Sequence, residues 1–201
     1  KNATGYNLTQ LMVGSEGTLG VITKIVFKLI PLPTKDVTML VPFDSAEKAC
    51  EAVSAIFRAG ITPSALEFIE RDAIDWTLKY TDIEMQIADD VQAHLLVEVD
   101  GNDIDLLYKD CEQIAEVMQQ YECGEILLAD SENQKNQLWK LRRAVGEAVK
   151  ANSIYKEEDT VVPRAELAKL LKGVKGIGKE YGFQSVCYGH AGDGNLHINI
   201  V

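Results

Sequence analysis

Two histidines seven positions apart stand in the run Gly189-His190-Ala191-Gly192-Asp193-Gly194-Asn195-Leu196-His197. In one continuous strand an odd spacing sends side chains to opposite faces. Glycines at 192 and 194 permit a sharp reversal that brings both imidazoles toward one point. Beyond the turn the sequence alternates, with Leu196, Ile198 and Ile200 on one face and His197 and Asn199 on the other. An aliphatic face backing a His/Asn face is what a strand lining a site presents, so the first face is expected to be buried and the second to border a cleft. Two neutral imidazoles suit Zn2+, Fe2+ or Mn2+, with a carboxylate completing the set. The plainer alternative is a glycine-rich hairpin whose histidines only hydrogen-bond.

Two further groups could do chemistry. Gly14-Ser15-Glu16-Gly17-Thr18-Leu19-Gly20 has a glycine at every third position, which allows close approach of backbone to a ligand. It precedes a strand-like segment and opens no helix, so it is not the dinucleotide-binding GxGxxG fingerprint. Taken alone, a glycine-rich turn without a ligand is its simpler reading. Arg142 lies at the edge of a helical apolar stripe and can grip a carboxylate through a two-point fork; Lys156, in a β-rich stretch, can do so only as a point charge. Each taken singly reads as surface charge. Glu67 and Glu98 sit inside strand patterns and are expected to face outward, and Trp139 to pack in the core or at a helix edge.

The elements that must position these residues follow from periodicity. Residues 21–30 are rich in β-branched side chains and read as a strand, stopped by Pro31 and Pro33. A strand–helix–strand pattern then occurs twice. Residues 37–41, a helix capped by Asp44 or Ser45 and ended by Gly60, and residues 64–69 form the first unit. Residues 94–99, a helix capped by Asp103 and running to about residue 120, and residues 124–128 form the second. A short helix at 71–80 and an acidic loop at 81–90 lie between them. Ser131 caps a long helix to about Asn152, then come a strand at 154–162, a helix at 164–181 ended by Gly182, and strands at 185–188 and from 196. The pattern predicts an α+β fold built on ferredoxin-like β-α-β repeats, with helices packed mainly on one face of an antiparallel sheet.

Composition narrows the class. In 201 residues, 46% are hydrophobic and 25% charged, enough for a sizeable core. The net charge of −11 argues against nucleic acid and anionic membrane surfaces as partners, since both require clustered Lys and Arg. Cys50, Cys111, Cys123 and Cys187 show no CxxC spacing and read as reduced thiols of a cytoplasmic protein. No apolar run approaches the ~20 residues of a membrane span. The chain opens on Lys1 and its last strand stops in mid-course at Val201, so an excised piece of a longer protein is expected.

Three segments, in order, resemble the FAD-linked oxidases of the vanillyl-alcohol-oxidase-like superfamily, of the glycolate oxidase D-subunit and D-lactate dehydrogenase type. Lys1-Asn2, Gly5 to Leu8 and Val13 to Thr23 are similar to the closing segment of the flavin domain; Ala59 to Glu67 and Tyr188 to Asn199 are similar to segments of the C-terminal domain. The resemblance implies residues 1–33 as the end of an FAD-binding domain and residues 34–201 as a substrate-binding C-terminal domain truncated at its end. It implies FAD contacts from Gly14, Ser15, Glu16, Gly17, Thr18, Gly20, Val21 and Ile22. It implies a divalent metal (Zn, Fe or Mn) on His190 and His197, and substrate contacts from Arg142, Lys156 and Asn199. Lys156 departs by one residue in its spacing from Arg142. Gly146 stands where the D-2-hydroxyglutarate branch has a substrate-contacting threonine, which argues against a long dicarboxylate. The implied third metal ligand and the catalytic base are expected beyond Val201, so the piece alone is expected to be inactive. The implied activity is oxidation of a small D-2-hydroxy acid, with electrons passing to a quinone, an electron-transfer flavoprotein or a partner subunit, in a complex that is cytoplasmic or peripheral to the inner membrane. A flavin oxidase using O2 directly is a variant of that reading. The alternative from another class is a stand-alone ferredoxin-like module that binds a ligand or a protein.

Overall fold

The computed structural model describes residues 4–201. The chain divides into two compact units, one ending at Leu32 and the other comprising Pro33–Val201. In the first, helix α1 (Leu8–Met12) is capped by Asn7, whose side chain accepts from the Gln10 amide. Residues 13–20 then turn repeatedly, with Gly14 and Gly17 in the left-handed region at φ 80° and 78°. The strand expected at 21–30 is not formed: these residues are exposed and in no ladder. β-propensity describes fitness for a pleated surface that is already paired, and no described residue supplies the partner edge. Lys1 and Asn2 lie outside the described residues.

The second unit carries a seven-stranded sheet in the order β4-β1-β3-β2-β6-β7-β5. Its strands are β1 (Lys35–Phe43), β2 (Ala65–Glu70), β3 (Ala93–Gly101), β4 (Leu127–Leu128), β5 (Lys156–Val161), β6 (Ser185–Gly189) and β7 (Asn195–Ile200). All neighbours pair antiparallel. Helices α2 (Ala46–Arg58) and α4 (Ile104–Gln119) make the two crossovers of a ferredoxin-like half, β4-β1-β3-β2, and the remaining three strands extend it. Ser45, Asp103 and Ser131 cap α2, α4 and α5 (Glu132–Asn152) through their side chains. Gly182 ends α6 (Leu167–Tyr181) at φ 77°. The segment expected to be helical from 164 starts as a 3-10 turn, Arg164–Glu166. The returning strand at 124–128 shrinks to the two residues of β4 plus one isolated bridge, Phe43 to Cys123.

Period-two alternation sends Val37, Met39, Val41 and Phe43 of β1, and Leu95 and Val97 of β3, into one core. There they meet Val53 and Ile56 of α2, Ile114 and Met118 of α4, and Leu167 and Leu171 of α6. Each such side chain, fully buried, contributes roughly 1.5–3 kcal/mol. The opposite face is also covered: α3 (Arg71–Tyr80) and α5 pack on it through Ile74, Leu138, Leu141, Val145 and Val149, against Ile69, Leu96, Val186 and Tyr188. At one edge of the first core Glu70 accepts the Cys187 amide at 2.9 Å and pairs with Lys175 of α6 at 2.6 Å. Among the described residues no helix is long and apolar enough to cross a membrane.

Candidate active site

Alternation on the central strands delivers the chemistry-bearing residues to the face under α5. Ile69 pairs with Tyr188, and Tyr188 with His197, so β2, β6 and β7 present one row across the sheet. Glu67 lies one step beyond the Phe68–Gly189 pair, beside His190. The turn after β6 is tight. Ala191–Asp193 form a 3-10 turn, and Gly194 closes it at φ 77°, with its backbone so near the Val162 carbonyl that a Cβ would stand 2.0 Å from that oxygen. The reversal therefore rests on Gly194. Gly192 serves differently, lying against Leu66 of β2, whose Cβ would be 3.2 Å from any side chain there.

Glu67 is the centre of the cluster. The expectation that it faces solvent is overturned: it is 6% exposed, because α5 covers this face of the sheet. Its Oε2 accepts from Arg142 Nε at 2.8 Å and lies 2.7 Å from Nη2. Its Oε1 lies 2.8 Å from His190 Nδ1. Arg142 sits in the apolar stripe of α5, is 8% exposed, and places Cζ 5.2 Å from the centroid of the Tyr188 ring. The His197 ring stacks on Tyr188 at 5.1 Å, and His190 meets His197 edge-on at 6.1 Å. Residues 67, 142, 188, 190 and 197 thus form one continuous group. His190, with a half-exposed side chain, opens onto a cleft of about 290 Å3 whose lining includes Thr62, Ser64, Glu67, Arg164 and Asp193.

The other expected site residues are placed differently. Asn199 is 1% exposed rather than facing open space; its Nδ2 donates to the Val186 carbonyl at 3.4 Å. Lys156 pairs with Ile200 in the ladder and shares the parity of Glu158, to which it extends at 3.4 Å, with a side chain 75% exposed. The ladder register therefore puts it on the face opposite His197. Glu157 and Asp159 stand across from Asn199 and His197 instead. His197 Nδ1 is 3.0 Å from Glu157 Oε1, but off the direction of a hydrogen bond. Glu98, also expected outside, accepts from Thr38 Oγ1 at 2.8 Å and from Trp139 Nε1 at 2.7 Å. Leu196 and Ile198 are buried as a pair, and Ile200 only partly.

Burial pushes the Tyr188 hydroxyl above its ordinary range, reinforced by Glu157 and opposed by its contact with Asn199. It stays protonated and is a hydrogen-bond donor. A Cβ at Gly146 would lie 3.3 Å from Tyr188 Oη, so this hydroxyl fills the space that a side chain at 146 would take. Burial likewise raises the Cys50 and Cys187 thiols, which are no nucleophiles, and all four cysteines are free. Among the described residues no group of three or more His, Cys, Asp or Glu is arranged to hold a metal ion, so His190 and His197 are at most a partial donor set. The Gly14–Ile22 segment belongs to the first unit; its exposed turns leave nothing within 4 Å of a Cβ at Gly14 or Gly17, which suits contact through backbone. Glu67 and Tyr188 were not among the expected site residues. Neither has a local signal: both stand in ordinary strand patterns, and only a helix far along the chain makes them interior.

Comparison with known proteins agrees with this architecture. The family described as FAD linked oxidases, C-terminal domain, matches residues 32–201. A D-lactate dehydrogenase of Anaerostipes hadrus is 36% identical over 98% of this chain and 43% of its own length. Glycolate oxidase subunit GlcD of Bacillus subtilis is 34% identical over 98% of this chain and 42% of its own length. The chain thus spans less than half the length of these relatives. Among solved structures, an alkyldihydroxyacetonephosphate synthase superposes with a TM-score of 0.68 over all of this chain and 41% of its own, at 16% identity, which speaks for the fold alone.

Proposed function

Because the chain belongs to the FAD-linked oxidase C-terminal domain family, we propose that it builds the substrate-binding part of a flavin-dependent enzyme that oxidises a small D-2-hydroxy acid, of the glycolate or D-lactate class, to the 2-oxo acid. One observation carries this reading: a guanidinium and two imidazoles that follow it by 48 and 55 residues in sequence are drawn into one cluster around Glu67 and Tyr188. A 2-hydroxy acid carries its carboxylate and hydroxyl on adjacent carbons, so an anchor and a hydroxyl-directed group must lie within a few ångströms of one small molecule.

In this proposal Arg142 holds the substrate carboxylate. Its Nε and Nη2 face Glu67, and Nη1 makes no hydrogen bond among the described residues, leaving that edge for the ligand. His190 and His197 face the hydroxyl end. They would also supply two ligands to a divalent metal, whose chemistry is to polarise the hydroxyl as a Lewis acid, with further donors from elsewhere in the protein. FAD, when bound along residues 14–22, supplies the electron acceptor. Tyr188 orders His197 by stacking, and its hydroxyl lies where a side chain at 146 would stand, so Gly146 offers no polar group to a second carboxylate, which favours a short acid. The test is steady-state kinetics of the flavin-loaded protein with glycolate, D-lactate and D-2-hydroxyglutarate. Turnover of one of the two short acids, at a kcat/KM at least about tenfold above the dicarboxylate, is expected. No turnover of any of them removes the proposal.

A further inference from the structure

The carboxylate that joins the two halves of the site has no role in the proposal above, yet it is buried and each of its oxygens has its own partner. Glu67 pairs with Leu96 of β3 on one side, and on the other it stands one step beyond the Phe68–Gly189 pair that joins β2 to β6. Each of its two oxygens serves a different partner. Oε2 takes the Arg142 guanidinium, and Oε1 lies 2.8 Å from His190 Nδ1. A guanidinium can only donate, and a carboxylate can only accept. The Nδ1 position of His190 must therefore carry the proton that points at Oε1. In the neutral ring that leaves the lone pair on Nε2, in a side chain that is half-exposed and lines the cleft.

On the strength of the function proposed above, we infer that Glu67 is a positioning residue that fixes the tautomer of His190 and the orientation of Arg142 together. Stability alone does not account for such a pair. Buried ion pairs are often replaceable by apolar residues of similar volume at no cost, because desolvation offsets the Coulomb attraction. What an apolar pair cannot do is set which imidazole nitrogen holds the proton. Carboxylates behind functional histidines do this, and their loss typically costs about 10- to 100-fold in activity or affinity.

The donor logic gives the idea a sharp consequence. In Glu67→Gln the amide oxygen must stay with Arg142, since the guanidinium has no acceptor. The amide nitrogen then faces His190 Nδ1 and donates to it, so the His190 proton must move to Nε2. The substitution keeps the side-chain shape and reverses the tautomer. Glu67→Asp keeps the charge, but its reach is one methylene shorter. It can hold Arg142 and not His190, and a mixed tautomer results.

The chain has only three histidines, so their ring nitrogens can be assigned one by one. Long-range 1H–15N spectra of 15N-histidine-labelled protein at alkaline pH, where imidazoles are neutral, separate protonated from bare nitrogens. In the wild type His190 is expected to be protonated at Nδ1 and bare at Nε2. Glu67→Gln is expected to invert this, and Glu67→Asp to mix it, while the His94 signals stay in place as the folding control. In the flavin-loaded protein, Glu67→Gln should lower kcat about 10- to 100-fold and change KM by less than about threefold, because Arg142 keeps its partner. A wild-type His190 protonated at Nε2, or one tautomer common to wild type and both variants, overturns the inference even where 2-hydroxy-acid oxidation is established. Tautomer inversion in a protein that oxidises no 2-hydroxy acid keeps the assignment of Glu67 and discards the function proposed for the site.

Discussion

On the face covered by α2, α4 and α6 the sheet meets its helices through aliphatic and aromatic side chains, and among the described residues the one buried charge there, Glu70, sits at the edge with Lys175 beside it. On the face covered by α3 and α5, buried Glu67, Arg142, His94, Asn199 and Thr38 are set among apolar residues. The same strands line both faces, so strand propensity is not what distinguishes them. A fold needs one apolar layer to be stable. A second layer that carries buried charge costs desolvation free energy, and it persists where those groups have a task. In the function proposed above, the first face specifies the fold and the second carries the chemistry.

That division can be broken most forcefully at Arg142. Arg142→Ala leaves the Glu67 carboxylate buried without its cation, and should lower unfolding free energy by about 3–5 kcal/mol in chemical denaturation. It should also cost about 10- to 100-fold in kcat/KM, the worth of a charged hydrogen bond to substrate. Arg142→Lys should restore neither fully, because a point charge cannot both replace the two-nitrogen contact with Glu67 and reach the ligand. A double variant, Glu67→Leu with Arg142→Met, should recover most of the stability and none of the activity; recovery of both would merge the two faces into one purely structural role.

Leu95 tests the other face. It is fully buried against α2 and α4, so Leu95→Ala should cost about 2–5 kcal/mol. Per folded molecule, kcat/KM should be unchanged, and a drop of more than about threefold would show that the apolar layer tunes the site.

His94 separates the faces by pH. Burial, and then Arg71, lower its pKa from 6.5 to about 4. The unfolded chain therefore binds a proton through this window while the folded one does not, so stability falls as pH drops from 6.5 toward 4, by roughly 3 kcal/mol. His94→Leu should flatten that slope in denaturation series at stepped pH; an unaltered slope would assign the acid sensitivity to other groups. The smallest effect is expected at Lys156, whose exposed side chain points away from His197. Lys156→Ala should shift stability by less than about 1 kcal/mol and leave kcat/KM within about twofold. A tenfold loss would mean that β5 pairs with β7 in another register.

Much of the fold was legible because its signals are local. Ser45, Asp103 and Ser131 announce helix starts, Gly60 and Gly182 announce ends, and each does what its side chain or its φ dictates. His190 and His197 were legible for the same reason, since the turn between them is made by its own glycine. Glu67 was not. Alternation tells which strand residues share a face, but whether that face is wet depends on α5, which begins 65 residues later. Residues 21–30 failed in the opposite sense: their composition suits a strand, but pairing is a property of two segments, and one was read. Lys156 was read from a strand pattern alone, and its face is set by the register with β7, which the strand's own sequence does not state.

The outermost strands have a bearing on how copies of this protein behave toward each other. A sheet with free edges is a template for further strands, and concentrated protein tests those edges constantly. One rim here is β4, two residues long, too short to recruit a partner. The other is β5, where Glu157, Glu158 and Asp159 stand in succession. A second copy approaching that rim would bring its own three carboxylates against these, and like charges in register repel. Among the described residues the acidic rim thus opposes edge-to-edge pairing of two copies.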